Sequence, residues 1–139
     1  MRDDEFLNER LETIWKLLFE DIPKLNNVVI KFKGKSKNKF GHIKKVGKDT
    51  EIVVNELFRF DDVPEYMIDV TIAHELSHYA HGFNSPLKQK YKHPHKGGVV
   101  TKEMNSRGFD KMIKMEKMFF RKEWPEIYDR IVSCKVNVT

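Results

Sequence analysis

The sequence predicts an α+β domain with an N-terminal helix, a small three-stranded sheet and a run of helices to the C-terminus. Two observations carry this. Apolar residues recur at helical spacing over residues 4–20 and again beyond Pro64. Between them, three short stretches rich in β-branched residues cluster from residue 28 to residue 55. The 139 residues suit one domain, and no repeat or linker divides them, so 1–139 is read as a single unit.

Each element has its own signal. Phe6, Leu7, Leu11, Ile14, Trp15 and Leu18 form one stripe of a helix over 4–20, and Pro23 lies just past its end. Residues 28–33, Val-Val-Ile-Lys-Phe-Lys, read as a strand. Lysines fill every odd position from 31 to 39, so a strand continuing there would carry one lysine face. Gly34 and Ser36-Lys37-Asn38 suggest a turn into a second strand over 40–46. Gly47-Lys48-Asp49 suggests another turn, into a third strand at 51–55. Pro64 opens a helix that runs to about His81 and stops at Gly82. Residues 83–99, with Pro86, Pro94, Gly97 and Gly98, read as loop. One further helix is expected over 100–121, with Met104, Gly108, Met112, Met115 and Phe119 on a stripe that reads as core. A short helix is expected after Trp124-Pro125.

Composition narrows the class. With 40% hydrophobic and 34% charged residues, the chain is neither collagenous nor of low complexity. The single cysteine, Cys134, excludes an internal disulfide and a Cys-based zinc finger, and favours a reducing, cytoplasmic setting. No apolar run approaches the ~20 residues of a membrane span, so no membrane partner is expected. The acidic N-terminus, Met1 to Glu5, lacks the apolar core of a signal peptide. Charge is segregated within the net +5. Residues 31–48 hold eight lysines and no acid, residues 51–75 hold seven acids against Arg59, and residues 82–102 again hold no acid. Such lysine segments attract phosphate backbones, which makes DNA a possible contact, and they equally serve as solvated edges that resist aggregation.

The chemistry sits in His74-Glu75-Leu76-Ser77-His78, an H-E-x-x-H pattern inside an expected helix. Four residues turn the helix through about 400°, so both imidazoles share one face and can reach a common metal ion. Ile68, Ile72, Leu76 and Tyr79 lie in the opposite sector and anchor the helix in a core. A zinc ion with three protein ligands keeps a fourth position for water, whose pKa falls toward ~7. Glu75 is then placed to act as general base and to pass the proton to a leaving amine. The third ligand must come from elsewhere. His81 lies a turn too far, and the order of preference is His95, then His93 in the loop, then Glu103 in the following helix. Gly97 and Gly98 after His95 allow close backbone approach.

Asn55-Glu56-Leu57 together with Ile68-Asp69-Val70-Thr71-Ile72-Ala73-His74-Glu75-Leu76-Ser77-His78 resembles SprT-like zinc metalloproteases, the Spartan group. The resemblance covers roughly residues 5–120. It implies a zincin-like fold, one catalytic zinc ion, a ligand histidine in a loop before a glycine, and cleavage of proteins, including proteins crosslinked to DNA. His95-Lys96-Gly97-Gly98 is similar to that loop, and Gly41 in a strand before the site also fits. Lys96 departs from the pattern by separating His95 from the glycine, and the zinc ribbon of some relatives is absent. In such folds an edge strand beside the catalytic helix takes the substrate as an added strand, and 51–55 is the candidate. Tyr91, His93 and Arg107 are conceivable oxyanion donors that read more simply as surface or packing residues. The leading expectation is a zinc endopeptidase acting on protein or peptide. The alternatives are a basic nucleic-acid-binding module with a structural or vestigial zinc site, and a metal-dependent hydrolase of a smaller amide.

Overall fold

Helix α1, Asp4–Leu18, begins where Asp3 caps it by accepting the Phe6 N–H at 2.9 Å. Its Leu7, Leu11 and Ile14 are buried. The structure, a computed structural model, describes residues 1–137, so the last two positions of the expected 1–139 domain lie outside the described residues. Strands β1 (Val28–Phe32), β2 (Gly41–Val46) and β3 (Asp49–Val54) form one mixed sheet. Its order is β1-β3-β2, with β1 parallel and β2 antiparallel to β3. Gly47 and Lys48 form the hairpin turn between β2 and β3. A 3₁₀ turn over Glu56–Arg59 leads to α2 (Glu65–Ala80). Helices α3 (Val99–Ser106), α4 (Asp110–Lys122) and α5 (Trp124–Asn137) complete the described chain. The molecule is α+β, as the sequence predicts.

Helix α2 is the hub. It packs on β2, β3, α1, α3 and α4, and from Val70 to Ala80 only His74 is exposed. Ile68, Ile72, Leu76 and Tyr79 are all buried, as their stripe predicts, but the apolar surround extends to Met67, Val70 and Ala73 as well. Polar contacts fix its two ends. Arg10 of α1 grips Asp69 through two hydrogen bonds of 2.8 and 2.7 Å. The Tyr79 hydroxyl donates to Asn26 Oδ1 at 2.7 Å and accepts the Leu25 N–H, while its ring meets Trp15 edge-on.

Beyond Phe32 the chain turns, as Gly34 and Ser36-Lys37-Asn38 suggest, and no lysine-faced strand forms. Lys33 N–H makes a last bond to the Val54 carbonyl, and then the chain leaves the sheet because Asn55 captures the Ser36 and Lys39 carbonyls with its side-chain amide. Two expectations, both on the later helices, are corrected. The helix expected over 100–121 is two helices. It stops at Gly108, where the Arg107 and Phe109 N–H groups both return to the Met104 carbonyl. Met104 and Phe119 of the expected stripe are buried, whereas Met115 is exposed. The final helix is longer than expected, since Trp124, Ile127 and Ile131 bury one face of it. Among the described residues no helix is long and apolar enough to cross a membrane.

Candidate active site

The exposed face of α2 opens into a cleft of about 400 Å³ lined by Lys39, Gly41, His42, Ile43, His74, Glu75, His78, Phe83 and His95. One turn of helix sets the His74 and His78 rings 5.0 Å apart, centroid to centroid. The opposite wall is β2, which approaches α2 closely because residue 41 has no side chain. A Cβ there would stand 2.7 Å from Thr71 Cγ2, 2.8 Å from the Val53 carbonyl oxygen and 3.4 Å from Glu75 Oε2. Gly41 therefore sets the width of the cleft at the carboxylate.

The remaining wall is the loop after α2. Gly82, at φ +76°, lets the chain turn back so tightly that any Cβ would lie 2.5 Å from the Lys88 backbone. The loop is then tied down by Lys90 N–H to the His81 carbonyl, Ser85 Oγ–H to the Tyr79 carbonyl and Asn84 Nδ2–H to the Ile43 carbonyl. Phe83 packs on the His78 ring at 5.2 Å and meets His95 edge-on at 5.1 Å. The His95 ring lies 4.7 Å from that of His78.

Each expected residue thus has a place. His74, Glu75, His78 and His95 share one cleft. His93 lies outside its lining, with its carbonyl accepting the Lys96 N–H in a turn. Glu103 faces away from the cleft. It holds the buried His81 Nε2 at 2.9 Å and Arg107 Nε at 3.0 Å. Arg107 in turn binds Asp21 through both terminal nitrogens, and Tyr91 packs edge-on against His81. The candidate substrate strand is corrected: β3, containing residues 51–54, is the central strand. The edge beside α2 belongs to β2, and Asn84 already occupies its outward Ile43 carbonyl. Lys39, His42, Ile43 and Phe83 escape a sequence reading because only the sheet order and the folded-back loop bring them to the motif.

Burial favours the neutral forms of Glu75, His74 and His78. Burial pushes the Glu75 carboxyl up to about 8, with Glu116 on α4 adding to the rise and Lys39 opposing it. Burial draws His78 down to about 3, and the neighbouring imidazoles of His74, His95 and His81 reinforce it. His74 is lowered first by the loss of hydration in the wall of the cleft, although its ring opens to solvent, and then by His95. Neutral imidazoles keep the lone pair a metal requires.

Among the described residues, no group of three His, Cys, Asp or Glu side chains is arranged to hold a metal ion as the side chains stand. His78 sits between the other two rings, and His74 and His95 make no ring contact with each other. The donor set nevertheless fits zinc in kind. Tetrahedral Zn–N bonds of about 2.0–2.1 Å put imidazole centroids roughly 5 Å apart, close to the two spacings observed. His78 Nδ1 is also buried with no hydrogen-bond partner, and none of the three rings hydrogen-bonds to another side chain. Comparison of the chain with family models, curated proteins and solved structures gives no match.

Proposed function

We propose that this chain is a SprT-like, zinc-dependent peptidase that cleaves protein or peptide substrates. The observation that carries the reading is one cleft holding His74, His78 and His95 beside a buried Glu75, with an edge strand along its wall. Zinc held by the three imidazoles would polarise the scissile carbonyl and acidify the attacking water.

The chain's own groups supply the rest. An extended substrate adds to the edge of β2 at Gly41, short of the Ile43 carbonyl that Asn84 occupies, through main-chain hydrogen bonds that hold the peptide across the cleft. Glu75, returned to its carboxylate form by the charge of a zinc ion held beside it, takes a proton from the attacking water and passes it to the leaving nitrogen. Its buried setting favours the protonated carboxyl, so the proton stays with Glu75 rather than escaping to solvent. Gly41 leaves room at Oε2 for that exchange. Phe83 shields the histidines on the loop side.

The test combines metal analysis with a cleavage assay on an unfolded protein substrate. Wild type is expected to bind one zinc per chain and to cleave. Glu75→Gln should keep the zinc and lose cleavage by at least ~100-fold, the scale of general-base catalysis. His95→Ala should lose zinc, and His93→Ala should retain it. A wild-type protein that binds no zinc, or a Glu75→Gln variant that still cleaves at the wild-type rate, rejects the reading.

A further inference from the structure

Next to the cleft lies a second, smaller depression of about 150 Å³, whose lining includes Lys33, Ser36, Lys39, Gly41, His42 and Asn55. It shares Lys39, Gly41 and His42 with the cleft, so the two are continuous across β2. Four of the eight lysines over 31–48 are already engaged. Lys31 and Lys44 both approach Glu51, at 2.9 and 4.0 Å. Lys35 pairs with Glu56, and Lys37 lies over the Tyr128 ring. Among the described residues Lys33, Lys39, Lys45 and Lys48 form no salt bridge, and of these Lys33 and Lys39 line this depression. Ser36 Oγ accepts the Asn38 and Lys39 N–H groups, at 3.2 and 3.1 Å, so its own hydrogen has no acceptor in the protein. The cup is rigid, because Asn55 clamps the Ser36 and Lys39 carbonyls and Glu56 N–H binds the Gly34 carbonyl.

Strand geometry says what reaches this cup. Successive side chains of a strand point to opposite faces. Gly41 and Ile43 of β2 face α2, while His42 and Lys44 share the outer face with their β3 partners Val53 and Glu51. A peptide added to the β2 edge presents its own side chains alternately in the same way. Those on the outer face pass beside His42 and Lys39 into the mouth of the cup, whose far wall, on the β1 side, carries Lys33. We infer that this cup is a specificity subsite for a substrate carboxylate, so that the peptidase prefers an Asp or Glu side chain on the outer face next to the cleavage site. The inference rests on the peptidase reading for its context. A nucleic acid fits less well, because a phosphate backbone needs a continuous stripe of free cations, and Glu51 and Glu56 interrupt this one.

The experiment measures binding apart from cleavage. Zinc-loaded Glu75→Gln protein is titrated into labelled Gly/Ser/Ala peptides carrying a single Glu, or Gln in its place, at each position in turn. At one position Glu should bind about tenfold tighter than Gln, the effect of one charge-assisted contact. Adding Lys33→Met should reduce that ratio below about twofold, and Lys33→Glu should invert it in favour of a Lys-bearing peptide. Equal binding of Glu and Gln peptides at every position, or no binding of either, overturns the inference. So does a single-stranded oligonucleotide that binds more tightly than the best Glu peptide and weakens with Lys33→Met. The wild-type enzyme is assayed for cleavage of the same Gln peptides. Glu selectivity without cleavage leaves the cup standing and removes the peptidase reading; cleavage without selectivity does the reverse.

Discussion

Substitution of Gly41 by Ala tests the closest contact in the site. The added methyl would sit 2.7 Å from Thr71 Cγ2 and 2.8 Å from the Val53 carbonyl oxygen. Carbon atoms pack best at about 3.5–4.0 Å, so the overlap with Thr71 is roughly 1 Å. Thr71 cannot rotate away freely, because its hydroxyl donates to the Met67 carbonyl at 2.7 Å. Val53 belongs to the central strand, and moving it disturbs the pairing with both neighbours. Overpacking of this kind costs about 1–3 kcal/mol, and contact with both a side chain and the backbone puts Gly41→Ala toward the upper end. Urea unfolding at pH 7 measures the loss. Thr71→Ser keeps the hydroxyl but removes the methyl, so in the double variant the Gly41→Ala penalty should shrink by about 1 kcal/mol, with the Val53 remainder persisting. An alanine variant as stable as wild type, or a cycle without coupling, would refute the close-approach argument. Because Glu75 Oε2 lies 3.4 Å from the same point, kcat/KM should fall in Gly41→Ala beyond any loss of folded protein.

Three further outcomes follow from the same geometry. Glu75 in the metal-free fold titrates near 8, against 4.5 for an ordinary carboxyl. The folded state therefore binds the proton more tightly, and stability falls as pH rises from about 4.5 to 8. At pH 7 that is roughly 2.5 pH units, or about 3 kcal/mol. Glu75→Gln should thus stabilise the chelator-treated protein at pH 7 and lose the advantage near pH 4.5; parallel stability–pH curves would defeat the claim. Glu51 is held below the usual carboxylate range, chiefly by its hydrogen bond to Lys31, so it contributes stability above its unfolded pKa that is lost as pH falls through the folded one. Lys31→Met should flatten this acid limb in denaturant titrations below pH 5, and an unchanged limb would show that the pair is not its source. Glu103→Ala leaves His81 and Arg107 without their shared carboxylate. It should cost about 1–3 kcal/mol while zinc content stays at one per chain. Loss of metal without loss of stability would instead make Glu103 a ligand.

How far the fold could be read from the sequence depends on where each signal lies. Local signals performed well. The stripe on α1, the turn at Gly47-Lys48 and the stop at Gly82 all act within a few residues of themselves. The alternation of lysines over 31–39 carries no strand, because a repeat of two describes one only if a partner strand is present, and here the turn signals at Gly34 and Ser36 prevail and Asn55 takes the neighbouring carbonyls. Gly108 was legible as a helix stop but sat in register with the methionine stripe, which read as continuous helix. In the site, the His74–Glu75–His78 spacing follows from helix geometry alone. The wall of the cleft does not, because β2 flanks α2 only through a strand order of 1-3-2, and sequence distance carries no record of that order. Glu103 shows the same limit. Its nearness to the motif was guessed, but its commitment to His81 depends on how α3 docks on α2.

Arg107 has a wider consequence. It donates to the Leu18 carbonyl at the end of α1, grips Asp21, lies 4.2 Å from the centre of the Phe19 ring and binds Glu103, which holds His81 one turn beyond the motif. One guanidinium therefore welds the first twenty residues to the back of the motif helix. A shortened chain beginning at Val28 would keep every histidine and the whole sheet, yet would strip this weld of its far side. The amino-terminal helix is thus no ornament on a self-sufficient motif-bearing half.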